Sequence, residues 1–286
     1  MIAGGPQVRP ISEKRPWTFR ALAFLFGLYM LFLYGPMLVI YVLSFQGENG
    51  GVTFPMTGFS TIWFEDILKP GQMANVPVSW RRSIGLATLV SGVTVIFAVA
   101  AGLGFRRPFP GSGFVFYMAV TSLVMPGLLV GFGIGLGFRF LGLDTSLFTS
   151  ALGAQLTWTL PFGLFAMFAV VNRFNRAWEE AAADLGASAW QRLRFVTLPI
   201  LLPGILGVAM GALTLSYDEY ARTTLTIGPS NTLPLELYAL ISSATSPTLF
   251  AIGTLTTMVS FLILTTTLVL VFRMQRRRAL AIMKAG

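Results

Sequence analysis

The chain has 286 residues, of which 55% are hydrophobic and only 11% charged, against roughly 25% charged in soluble domains. So little charge cannot cover a water-soluble fold, and the composition indicates an all-α integral membrane protein. With no cysteine and no histidine, disulfides, Cys/His zinc sites and histidine acid–base chemistry are excluded. The net charge of +9 gathers at the ends of apolar runs, which is membrane topology rather than a nucleic-acid-binding face.

A helix crosses the hydrocarbon core with about 20 apolar residues. Six stretches qualify, near residues 21–44, 83–105, 113–138, 148–171, 199–218 and 248–272. Backbone groups in lipid must pair internally, so all six are predicted helices. The first, Ala21–Phe45, exceeds a signal-peptide core of about 7–15 residues and reads as a retained anchor. Trp17, Tyr34 and Trp80 are candidate interfacial anchors. The outer segment near 46–80 contains "TIWFEDILK", a short amphipathic helix on the outer surface.

With both termini in the cytoplasm, the inner segments hold fifteen Lys and Arg, and the outer ones five: Lys69, Arg81, Arg82, Arg139 and Arg222. That bias supports N and C termini on the inside. The expected plan is a cytoplasmic segment 1–20, a six-helix transmembrane domain 21–272 with a cytoplasmic loop at about 172–198, and a basic cytoplasmic tail 273–286. The loop 219–247 is turn-rich around Gly228-Pro229-Ser230-Asn231, and its Leu235–Ile241 part is expected to dip back into the membrane.

Within the spans, Pro36, Pro126, Pro161, Pro199 and Pro203 favour kinks. Gly131/Gly135, Gly133/Gly137 and Gly207/Gly211 allow close helix approach. These features fit ordinary helix packing, or a moving pathway with bend points at Pro126-Gly127 and Pro161. "GFGIGLG" at 131–137 lacks the sixth-position glycine of a dinucleotide fingerprint and follows no strand. Asp218-Glu219, in "LTLSYDEY", are either an exposed pair beyond a helix end or a negative surface that attracts a cation, with Tyr217 and Tyr220 adding aromatic faces. Glu236 and Asp144 read as plain loop acids.

The stretch "EEAAADLGASAWQRLRFVTLPILLPGI", Glu179–Ile205, stands apart. Glu179–Leu185 is a good helix former, and Gly186 supplies a left-handed turn. Ser188 with Gln191 fits the S-x-x-Q capping box and starts a second short helix. Leu198-Pro199 ends that piece, with Pro199 in the first turn of the next span. Trp190, Leu193 and Val196 give one apolar side, while Ala181, Ala182 and Ala183 keep another low. Such an element suits either a groove on another protein or packing beneath its own bundle.

This stretch resembles the signature of binding-protein-dependent ABC importer permeases of the MetI-like kind: Glu-Ala-Ala, three residues, Gly-Ala, then a tract ending in L-P-x-x-x-P. Here these are Glu180, Ala181, Ala182, Gly186, Ala187, Leu198, Pro199 and Pro203. The resemblance implies a MetI-like permease fold in which the two short helices, the coupling helices, sit in a cleft of a cytoplasmic ATPase. Glu180 then lies at that interface and Gly186 at the bend. "LSYDEYARTTLTIGPSNTLPLELYALI" is similar to the second permease of spermidine/putrescine-type importers through Ser216, Tyr217, Asp218, Glu219, Gly228, Pro229, Thr232, Leu233 and Pro234. That implies a small, cationic, polyamine-like solute, the alternatives being an aminophosphonate, an aminobutyrate-like compound or another small solute. By the same analogy the third and fifth spans line the path, with Tyr217, Asp218, Glu219, Pro126 and Trp158 as candidate lining residues. The implied partners are a second permease, similar or identical, a homodimeric cytoplasmic ATPase, a periplasmic solute-binding protein and the lipid of a bacterial inner membrane.

The chain has no G-x-x-x-x-G-K-[S/T], so ATP and Mg are expected on the partner ATPase, with no cofactor or metal in a non-catalytic permease. A self-contained channel or secondary transporter would carry charges deep in several spans or repeated halves, which the sequence lacks. A membrane-embedded enzyme lacks its residues here.

Overall fold

The computed structural model describes residues 17–67, 69, 76–243 and 246–285. Residues 1–16 of the expected N-terminal segment, residue 68 of the outer amphipathic stretch and Gly286 lie outside the described residues. Among the described residues the molecule is helical apart from short connections and an isolated bridge between Gln46 and Phe59.

Five helical segments have membrane length: α1, Trp17–Leu43; α3, Val76–Gly104; a π turn at Leu147–Ala151 continuing into α6, Leu152–Val171; a run from Ala189 to Tyr217; and α11, Thr248–Ala285. The expected third span is broken. It consists of α4, Ser112–Val124, and α5, Gly127–Phe140, bent by 106° at Met125-Pro126. Pro126 denies the ladder an N–H and biases Met125 to an extended conformation, observed at ψ 132°. Met125 still donates its N–H to the Thr121 carbonyl, closing α4. "TIWFEDILK" forms α2, Ile62–Asp66, and the stretch expected to dip back is α10, Leu233–Ser243, packed on α3 and α11. α11 continues as one helix through the basic stretch to Ala285.

Three helices form the centre, and their contacts fix a common register. α3 and α6 run parallel, with Thr94 donating to the Thr159 hydroxyl at 3.0 Å, 65 residues apart in sequence. Gly163 meets Ala98 and Gly102 meets Met167 at the same offset. α9, Leu198–Tyr217, is antiparallel to both: Gly204 lies against Val170, Gly163 against Val208, and Gly211 against Phe162. Ala98, Met167, Val171, Leu201 and Val208 make one core in the cytoplasmic half. Leu86, Val90, Leu147, Ala151, Ile227 and Leu235 make another in the outer half. α1 lies against α11, and most of its large apolar side chains are otherwise exposed, as a lipid or partner-facing helix requires.

Candidate functional site

Two sites follow from this frame, one under the bundle and one at its centre. The first is the loop singled out by its sequence. α7, Ala177–Asp184, is followed by Gly186 at φ +83°, a left-handed bend. α8, Ala189–Arg192, starts on the expected capping box: Gln191 N–H donates to Ser188 Oγ at 3.3 Å, and Ser188 N–H donates to Gln191 Oε1 at 2.7 Å. The second short helix does not stop at Leu198-Pro199. It passes through a π turn, Leu193–Thr197, straight into α9. The wider π register relieves the clash that a proline ring makes with the carbonyl four residues earlier, so the span accepts Pro199 without a break.

Trp178, Leu185, Trp190 and Phe195 are exposed on this loop, Leu185 at 90%. Glu180 and Ala181 are exposed, and Ala182 and Ala187 partly buried. Glu179, not singled out from the sequence, turns inward. Its Oε1 and Oε2 accept from Arg106 Nη1 at 2.8 and 3.1 Å, and its Oε1 accepts from the Thr197 hydroxyl at 2.5 Å. Burial raises the Glu179 carboxyl, but the Thr197 and Arg106 hydrogen bonds, with Arg192 nearby, outweigh it and hold the group below its ordinary range. The signal was present in the Glu179-Glu180 doublet and in Arg106, read only as a topological charge.

The second site lies at mid-depth. Val90 is the central residue of α3, and the α3–α6 register sets it level with Gln155. Gln155 accepts from the Ser216 hydroxyl through Oε1 and donates through Nε2 to Thr223 Oγ1 at 2.8 Å. α9 therefore ends near the middle of the bundle, not at its outer face. The chain after it passes Trp158 at Arg222, Gln155 at Thr223, Ser150 at Thr226 and Thr145 at Gly228, rising antiparallel to α6. Residues 218–228 thus continue the direction of α9 as an irregular segment. Non-helical backbone at this depth persists because protein surrounds it: Ser150 Oγ donates to the Thr226 carbonyl, and Thr226 Oγ1 to the Arg222 carbonyl.

Arg222, counted from sequence as an outer-loop charge, is 6% exposed and packed inside the protein. Its Nη1 stands 3.6 Å from Glu219 Oε2, its guanidinium lies 5.0 Å from the Trp158 ring centroid, and its Nη2 donates to the Met125 carbonyl at 3.4 Å. Glu219 Oε1 also accepts the Arg222 N–H at 2.7 Å. The candidate residues Glu219, Trp158 and Pro126 are thereby gathered around Arg222, which no sequence signal had placed among them. Tyr217 is buried and its hydroxyl accepts from Trp80 Nε1 at 3.0 Å, whereas Asp218 is exposed. Glu236, expected to be a plain loop acid, is buried and accepts from Asn231 and Ser79. The expected helix–helix role of Gly131/Gly135 is replaced by a helix–loop one: a Cβ there would sit 2.7 Å from the Arg222 carbonyl oxygen and 2.5 Å from that of Leu225. Gly133, Gly137 and Gly207 have open space beside them.

Comparison with known proteins fits this architecture. The spermidine/putrescine transport system permease protein PotC of Escherichia coli (strain K12) is 27% identical over 226 residues, covering 78% of this chain and 83% of the relative. PotC of Haemophilus influenzae is 29% identical over 239 residues, covering 82% and 89%. The putrescine transport system permease protein PotI of Escherichia coli (strain K12) is 29% identical over 250 residues, covering 85% and 86%. Among solved structures, a bacterial ABC transporter involved in the import of the acidic polysaccharide alginate superposes with a TM-score of 0.64 at 17% identity, covering 91% of this chain and 96% of that one. The MetNI methionine ABC transporter, in an inward-facing conformation, superposes at 0.53 and 18% identity, covering 68% and 94%. At those identities the structures establish the fold. The model of the binding-protein-dependent transport system inner membrane component family matches residues 92–279, well over half the sequence. The chain belongs to that family, the multi-pass inner-membrane permease subunits of ABC importers, in which ATP hydrolysis resides in a separate subunit.

Proposed function

We propose that this permease carries a small cationic amine of the polyamine type, received from a periplasmic binding protein, and that a cytoplasmic ATPase dimer drives it through the α7–α8 loop. The observation that carries the reading is the loop itself: a bent helix pair tied at both ends to membrane spans, with Trp178, Leu185 and Trp190 exposed. Exposed aromatic and aliphatic side chains on a rigid element suit burial in a partner's cleft. Glu180, Ala181, Ala182, Gly186 and Ala187 lie on this docking element, and Leu198 and Pro199 join it to α9. ATP and Mg bind the partner, and a second permease, a copy or a similar chain, completes the path.

For the solute, Asp218 is the side chain to watch. It ends a face of α9 on which Gly207, Thr214 and Asp218 are exposed, a small and polar stripe that suits an aqueous path better than lipid. Of the other candidates, Tyr217 is held by Trp80, and Glu219, Trp158 and Pro126 belong to the buried Arg222 cluster. Similarity to PotC and PotI supports a polyamine; an aminophosphonate or aminobutyrate-like solute is the alternative. The test uses the assembled transporter in proteoliposomes with its binding protein. Glu180→Lys or Gly186→Pro should abolish ATPase co-purification and ATP-dependent uptake, and retention of both would overturn the docking reading. Asp218→Asn should raise the solute concentration giving half-maximal putrescine uptake by about tenfold, the scale of one lost charge-assisted contact. An unchanged value would remove Asp218 from the path.

A further inference from the structure

The two adjacent glutamates of the loop differ in their surroundings. Glu180 is exposed, while the Glu179 carboxylate is three-quarters covered and joins three segments of chain. Arg106 lies two residues beyond the end of α3, Thr197 is the last residue before α9, and Glu179 itself is in the first turn of α7. α7 packs on α8 and the π turn but shares no extended backbone interface with α3; the Glu179–Arg106 ion pair, with the bond from Arg176 at the α7 N-cap to the Arg106 carbonyl, links them. Arg106 is in turn held on two sides. Its guanidinium lies 4.6 Å from the Phe174 ring centroid, and its carbonyl accepts from Arg176 Nη2 at 2.8 Å. Both anchors come from the connection that leads into α7.

We propose that Glu179 is the positioning residue through which displacement of the α7–α8 loop reaches α3 and α9 together. The inference rests on the docking reading above and gives the two glutamates different roles, with Glu180 on the outer, partner-facing side and Glu179 on the inner, force-bearing side. Charge-assisted hydrogen bonds are short and about twice as strong as neutral ones, and partial burial protects them from screening. One carboxylate accepting from both Arg106 and Thr197 makes the lower ends of α3 and α9 follow α7 as a unit. α6 is already joined to α7 by a short covalent connection. All three central helices therefore receive the same displacement, and these are the helices whose Thr94, Thr159 and Ser216 surround the mid-depth cluster.

The experiment uses the complete transporter with its ATPase and binding protein, and reads ATPase co-purification, ATP hydrolysis and putrescine uptake per ATP hydrolysed. Glu179→Gln should keep the ATPase bound and hydrolysing while uptake per ATP falls about tenfold or more, the scale of a lost hydrogen bond to a charged group. Arg106→Glu should fall likewise, and the exchanged pair Arg106→Glu/Glu179→Arg should recover most of the lost uptake. Thr197→Val should lose uptake per ATP, and Thr197→Ser should retain it. Wild-type uptake per ATP in Glu179→Gln, or in both Arg106→Glu and Thr197→Val, overturns the proposal. So does an assembled exchange variant no better than the single ones. If the exchange variant does not assemble, the Thr197 pair decides alone. Loss of ATPase binding in Glu179→Gln would make Glu179 a docking residue and also overturn it. The docking reading fails separately, if Glu180→Lys leaves the ATPase bound.

Discussion

Two charged residues carry more of this molecule than their neighbours do, and neither is legible in sequence as such. Glu179 is held below its ordinary carboxyl value of 4.5. A group with a lowered folded value contributes stability that is complete above the unfolded value and is lost as the pH falls through the folded one. The stability difference between the wild-type chain and Glu179→Gln should therefore be constant above about pH 5.5 and shrink below about pH 4.5, read by urea titration of Trp178 and Trp190 fluorescence. Arg222 has the opposite setting, deep in the core with Glu219. Arg222→Ala strands that carboxylate and should cost about 3–5 kcal/mol in thermal unfolding of the detergent-solubilised protein, while the joint replacement Glu219→Gln/Arg222→Met should cost less. A charge count along the chain puts Arg222 outside the membrane because it follows the fifth apolar run. The Ser216–Gln155–Thr223 hydrogen bonds, between residues of ordinary appearance, hold the adjoining chain inside the bundle.

At the scale of elements, the apolar runs and the capping chemistry were readable because both are local. Five of six spans lie close to their expected positions, and the Ser188–Gln191 box and the Gly186 bend occur where residue type requires them. The third span was not readable as one broken by 106°, because Pro126 licenses a bend without setting its angle. The angle comes from α5 lying on the irregular segment 218–228 through Gly131 and Gly135. A side chain has no room between those carbonyls and the helix. Gly131→Leu should accordingly cost about 1–3 kcal/mol by overpacking and lower the thermal midpoint, whereas Gly133→Leu, beside open space, should leave it nearly unchanged. The i, i+4 glycine spacing was visible, but its partner is an irregular loop, a kind of contact that helix-pair reasoning does not anticipate.

For the whole molecule, the fold class and the six-run plan follow from hydropathy, since lipid leaves the backbone so few options. What hydropathy leaves out is the closing of the centre by a segment made late. The Met125 carbonyl at the break is held by Arg222, 97 residues further along the chain. A ribosome therefore delivers the whole apolar run 113–138 to the translocon well before its restraint has been synthesised. During that interval only the local break at Pro126 acts on the run, and the observed 106° angle is expected to be reached once residues 218–228 arrive. Chains arrested before Asp218 should leave a cysteine placed at Phe132 accessible to a lipid-phase or periplasmic reagent differently from finished chains. The accessibility change would then date the final angle of the third crossing to a time after that crossing has been made.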